Sequence, residues 1–139
     1  MNPREEFGIR AQHAGIHVKS YKETYEWYHK VFGFEELPQG HAGIFRGGVF
    51  PKMRWITLGD FCLEVYEVQN AKPFDFVDFE WTIGVKHLSF AVKNFRKFVE
   101  YIKTLPDVTI VVENDYTESG GAVYLRDNNG ILVEITPDD

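Results

Sequence analysis

The strongest constraint on how this chain can fold is that it reads as one string of elements written twice. Over 12 to 18, Ala14, Ile16 and Val18 alternate with His13, Gly15 and His17, so this is a strand with one apolar face and one imidazole-bearing face. Ser20, with Glu23 three residues later, forms a capping-box pattern, and Tyr21, Tyr25, Tyr28 and Phe32 recur at helical spacing up to a glycine stop at Gly33. Strands are expected near 41 to 46, with Phe34 to Leu37 as a lead-in, then at 52 to 58 and 61 to 68, the last two flanking a Gly59-Asp60 turn. Residues 69 to 84 have no clear period and contain Pro73 and Gly84, which makes them a connector. The order then returns, with a strand at 86 to 92 and a helix at about 94 to 104 carrying Phe95, Phe98, Val99 and Ile102 on one stripe. Strands near 107 to 113, 120 to 126 and 131 to 136 complete it. The expected fold is α+β, a single domain over 1 to 139 built from two βαβββ modules, about 11 to 68 and about 85 to 136. Residues 1 to about 10 read as a polar arm anchored by Phe7 and Ile9.

A duplicated unit should return its special residues at a nearly constant offset. His13 and His87 lie 74 positions apart, and Glu64 and Glu134 lie 70 apart, a difference that loops absorb. Strand alternation sets His13 and His87 opposite the apolar faces of their strands, and Glu64 and Glu134 on the corresponding faces of theirs. These four side chains could simply face water. Their company argues otherwise, because Glu64 sits among Cys62, Tyr66 and Val68, and Glu134 beside Leu132. If the two modules curl these faces together, a buried pair of carboxylates needs a cation to offset its charge. Two neutral imidazoles and two carboxylates neutralise a dication and suit Ni, Co or Zn, with Fe or Mn as further candidates, rather than Ca or Mg.

Composition removes several classes of partner. With 15 basic against 21 acidic residues the net charge is −6, which disfavours a nucleic-acid partner. No window approaches the length of apolar sequence that spans a bilayer, so no membrane partner is expected. The single Cys62 rules out an internal disulfide and suits a reducing compartment, which makes the cytoplasm the expected location.

Five motifs in order carry a resemblance: His13-Ala-Gly-Ile-His-Val; Tyr25-Glu-Trp-Tyr-His-Lys-Val-Phe-Gly33; Leu63-Glu64-Val-Tyr; His87-Leu-Ser-Phe-Ala-Val; and Leu125-Arg-Asp-Asn-Asn-Gly130-Ile-Leu-Val-Glu134. Together they resemble the vicinal oxygen chelate superfamily, and within it the glyoxalase I-like single-domain members, over about residues 11 to 136. The resemblance implies paired βαβββ modules forming an incomplete barrel around a metal site, in a homodimer. It also implies that His13, Glu64, His87 and Glu134 are the metal ligands, with Glu134 and Glu64 as catalytic proton shuttles. The implied activity is an isomerase or lyase working through an enediolate on a small-molecule substrate with vicinal oxygens, lactoylglutathione lyase being the named form. Alternatives are an epimerase like the methylmalonyl-coenzyme A enzyme, whose family commonly has Gln where this chain has Glu64, and a non-catalytic binding or resistance protein. A ring-cleaving dioxygenase is disfavoured by the presence of Glu64, and His17 and Val68 stand where glyoxalase I has an arginine and an asparagine that serve glutathione.

Other residues are less decisive. His17, Trp55, Cys62 and Tyr66 share the proposed inner face and are candidates for the substrate pocket; across a two-residue turn, Trp55 would oppose Glu64 and Met53 would oppose Tyr66. His29 on its helix and His41 in its loop read as exposed. Gly47-Gly48 and Gly120-Gly121 lack phosphate-loop spacing, and Asp127-Asn128-Asn129-Gly130 reads as a turn rather than a calcium loop. Phe74, Phe76, Phe79 and Trp81 in the connector suit a dimer surface or a groove.

Overall fold

The structure is a computed structural model that describes residues 1–37, 52–74, 79–113 and 121–138. The strand expected at 41 to 46, His41, Gly47-Gly48, Phe76 and Gly120 lie outside the described residues. The chain divides into two compact units, Met1–Ala71 and Lys72–Asp139, with the division inside the expected connector.

The first unit runs α1 (Pro3–Phe7), β1 (His13–Val18), α2 (Tyr21–Phe32), β2 (Glu35–Glu36), β3 (Lys52–Leu58) and β4 (Phe61–Glu67). Its sheet has the order β1-β4-β3-β2, with β1 parallel to β4 and the other pairs antiparallel. The polar arm contains a short helix instead of running as a tail. Asn2 accepts the Arg4 amide, Pro3 occupies a first-turn position where no N–H is needed, and Gly8 closes the turn at φ +62°. Phe7 and Ile9 are largely exposed and do not anchor it.

In α2, Ser20 Oγ accepts the Glu23 amide at 3.3 Å and Gly33 ends the helix at φ +80°. The buried stripe is Thr24, Trp27, Tyr28 and Val31, displaced from the expected tyrosine series. Tyr21 and Tyr25 sit at its edge because a phenol is best placed where its hydroxyl finds a polar partner, and Tyr21 donates to Glu36 at 2.7 Å. Ile16, Val18, Ile56, Leu63 and Val65 complete this core, each contributing roughly 1.5–3 kcal/mol by leaving water. Gly59, at φ +56°, forms the two-residue hairpin turn, so Leu58 pairs with Phe61, Trp55 with Glu64 and Met53 with Tyr66, as expected.

The second unit repeats the order as β5 (His87–Val92), α3 (Phe95–Lys103), β6 (Thr109–Glu113), β7 (Val123–Arg126) and β8 (Leu132–Pro137). Its sheet runs β5-β8-β7-β6, again with the first strand parallel to the last. Phe95, Val99 and Ile102 of α3 are buried, as are Val123, Leu125, Val133 and Ile135 of the sheet. Before β8, the buried Asp127 accepts the Asn129 and Ile131 amides, each at 2.8 Å, so its carboxylate is spent on shaping the turn. The fold is α+β, two four-stranded mixed sheets built from the same βαβββ order. Among the described residues, no helix is long and apolar enough to cross a membrane.

Candidate functional site

Parallel pairing of first strand with last brings each module's histidine to its glutamate. In the first module Gly15 pairs with Glu64, which leaves His13 two positions along β1 on the same face. His13 Nε2 and Glu64 Oε2 are 3.1 Å apart, and the glutamate side chain is mostly buried. In the second module Ser89 pairs with Glu134, and His87 Nε2 lies 3.0 Å from Glu134 Oε2. The register of His to Glu is therefore the same in both modules. Within each module, among the described residues, no third His, Cys, Asp or Glu joins the pair.

The surroundings of the first pair are polar and specific. Gln12 Oε1 is hydrogen-bonded to His13 Nδ1, an outer contact that orients the ring whose Nε2 faces the carboxylate. Tyr66 donates to the same Glu64 Oε2 at 2.7 Å. Burial, followed by that bond, pushes the Tyr66 phenol up to about 12, so it stays a donor at neutral pH. The Trp55 ring stands edge-on to His13 with centroids 4.8 Å apart. Gly15 lies beside the pair, where a Cβ would sit at ordinary contact distance, 3.6 Å from the Tyr66 ring and 3.9 Å from Glu64 Oε2.

The second pair has a different neighbour in the matching place. Tyr124, paired with Glu134 across β7 and β8, stands edge-on to His87 with centroids 5.7 Å apart. Its hydroxyl is hydrogen-bonded to Glu134, and that bond, with burial second, raises its pKa.

This donor set fits a divalent transition ion. Each pair would offer such an ion an imidazole nitrogen and a carboxylate oxygen, 3.1 Å apart in the first module and 3.0 Å in the second.

The remaining candidates fall where strand alternation puts them. His17 lies against Tyr66, with ring centroids 5.4 Å apart, and Cys62 pairs with His13 across β1 and β4. His29 is half exposed and contacts the Phe34 carbonyl and Glu35. Phe74 and Phe79 pack on each other in the connector, while Trp81 is exposed. Sequence reasoning missed Tyr124. The hairpin arithmetic that put Trp55 opposite Glu64 applies to Tyr124 only once the longer Asp127 turn is counted.

The sequence matches the family model of the Glyoxalase/Bleomycin resistance protein/Dioxygenase superfamily over residues 10–135. No curated protein matches it. Among solved structures, a glyoxalase/dioxygenase from Nostoc punctiforme superposes with a TM-score of 0.75 at 21% identity, covering 100% of this chain and 96% of that one. Lactoylglutathione lyase from Agrobacterium tumefaciens gives 0.63 at 15% identity, with 92% of each chain covered. A mutant of the fosfomycin resistance protein FosX from Listeria monocytogenes, complexed with Mn(II) and 1S,2S-dihydroxypropylphosphonic acid, gives 0.65 at 16% identity, covering 94% of this chain and 92% of that one. At these identities the likeness is one of fold.

Proposed function

The chain belongs to the Glyoxalase/Bleomycin resistance protein/Dioxygenase superfamily, and on that premise we propose that it is a metal-dependent isomerase or lyase for a small substrate with vicinal oxygens. Lactoylglutathione lyase is the named form of this activity. The observation that carries this reading is the repetition of one His–Glu pair, at one register and one separation, in both modules. His13, Glu64, His87 and Glu134 would hold the ion, with Ni, Co or Zn favoured and Fe or Mn as alternatives. When bound, such an ion supplies Lewis-acid stabilisation of negative charge on the substrate oxygens.

The chain's own groups handle the proton. Glu134 removes it from the hydroxyl-bearing carbon beside the carbonyl, a glutamate, Glu134 or Glu64, returns it to the former carbonyl carbon, and the hydroxyl proton passes to the other oxygen, so that the substrate is isomerised with no net gain or loss of atoms. Tyr66 and Tyr124 orient these carboxylates by hydrogen bonding. His17, Trp55 and Cys62 border the substrate. The two modules act as one domain in a cytoplasmic homodimer. Because His17 and Val68 stand where glyoxalase I has an arginine and an asparagine that serve glutathione, glutathione dependence is to be measured directly.

The test is wash-in of solvent deuterium at the carbon of small α-hydroxycarbonyl compounds, offered with and without glutathione and followed by proton NMR. Metal-loaded protein should catalyse exchange that chelation removes and that Glu134→Gln slows by orders of magnitude while the fold is retained. Exchange that survives complete chelation would overturn the reading. A ligand held equally well after chelation, with no exchange, would identify a binding protein instead.

A further inference from the structure

The two modules satisfy their glutamates by different routes, and the difference leaves one donor over. Trp55 and Tyr124 occupy matching places: each is the cross-strand partner of its module's glutamate, and each stands edge-on to its module's histidine. Tyr124 uses its polar tip on Glu134. In the first module that task falls to Tyr66, from β4 itself. The Trp55 indole Nε1 is buried and, among the described residues, has no hydrogen-bond partner.

A buried N–H without an acceptor costs about 1–3 kcal/mol, and native proteins rarely leave one without a reason. Glu64 Oε2, the carboxylate oxygen that faces His13, is engaged by Tyr66. Gly15 lies on the same face of the sheet, beside Glu64.

We propose that the Trp55 indole N–H is a substrate-positioning donor, reserved for an oxygen of the substrate next to the pair that chelates the ion. This inference rests on the proposed metal-dependent reading and adds a substrate class to it. The preferred substrate carries an acceptor, such as a carboxylate or a further carbonyl, beyond its two vicinal oxygens. A site built around a buried donor also discriminates against analogues that lack the matching acceptor, because they leave that donor unpaired.

The experiment uses zinc-loaded full-length protein and oxalate, which can chelate through two oxygens and still present two more. The three tryptophans give three indole N–H signals in a nitrogen–proton correlation spectrum, and the Trp55 signal is assigned by its loss in Trp55→Phe. Oxalate should shift that signal downfield. Trp55→Phe should weaken oxalate binding by roughly tenfold or more, as expected for loss of a hydrogen bond to a charged acceptor, with zinc stoichiometry unchanged. Oxalate bound by the zinc-loaded protein with no movement of the Trp55 signal would overturn the proposal and leave the metal reading standing. So would equal oxalate affinity in Trp55→Phe. Failure of the wild-type protein to take up any transition ion would overturn both. The wild-type spectrum decides the matter even if Trp55→Phe does not fold.

Discussion

The two modules agree at the pair and diverge around it. His13 with Glu64 and His87 with Glu134 match in register and, at 3.1 and 3.0 Å, in separation. Beside the glutamate on the first strand, the first module has Gly15 where the second has Ser89. Across the hairpin it has Trp55 where the second has Tyr124. What both modules keep is a pair of donors that a cation would hold together. What differs is the chemistry available to anything lying against that pair. On the proposed reading, ion holding is therefore shared, whereas substrate recognition is concentrated in the first module and leaves the base to the second.

Swapping the roles of the two glutamates is the harshest way to break this comparison. Glu134→Gln should slow proton exchange on a true substrate by roughly 10²–10⁴-fold, the usual worth of a general base, while Glu64→Gln should keep more of the activity. Equal losses, read by the same deuterium wash-in, would erase the division of labour. Next in size is metal removal. With the ion at about a hundred times its dissociation constant, linkage predicts a gain of roughly 2.7 kcal/mol in stability over the chelated protein, readable in denaturant melts. His13→Ala should abolish this gain, as should His87→Ala.

Substitutions at the matching first-strand positions sharpen the contrast. The Cβ of Gly15→Ala fits at ordinary contact distance and should leave metal uptake intact. Gly15→Val pushes a branched side chain toward Tyr66 and Glu64 and should weaken zinc binding measurably in competition titrations. Ser89→Ala, where a side chain is already present, should do little. The smallest effects belong to the groups that orient the carboxylates. Tyr66→Phe and Tyr124→Phe should each reduce zinc affinity by about tenfold, as is usual for loss of an outer hydrogen bond to a ligand. The larger of the two losses should fall on Tyr66, whose hydroxyl reaches the very oxygen that faces His13.

The repeat was legible in the sequence because strand alternation and helix punctuation are local signals. His13, Gly15 and His17 fell on one face as expected, and the Gly59-Asp60 turn set Trp55 opposite Glu64. The short N-terminal helix was not, since a cap, a proline and a closing glycine carry no periodicity over one turn. The buried face of α2 was displaced because tyrosine counts as apolar in a pattern, yet Tyr21 places its hydroxyl on Glu36 at the edge. The candidate ligands could be named from spacing. Tyr124 could not, because its register depends on a turn whose length is set by the side chain of Asp127.

The central claim is that both His–Glu pairs serve a divalent ion, and counting metal tests it most directly. The native protein, His13→Ala and His87→Ala would be purified without chelators and analysed for Ni, Co, Zn, Fe and Mn per chain. The account predicts about one ion per chain in the native protein and loss of it in both variants. A native protein that takes up none of these ions, or a variant of either histidine that keeps its full complement, would contradict it.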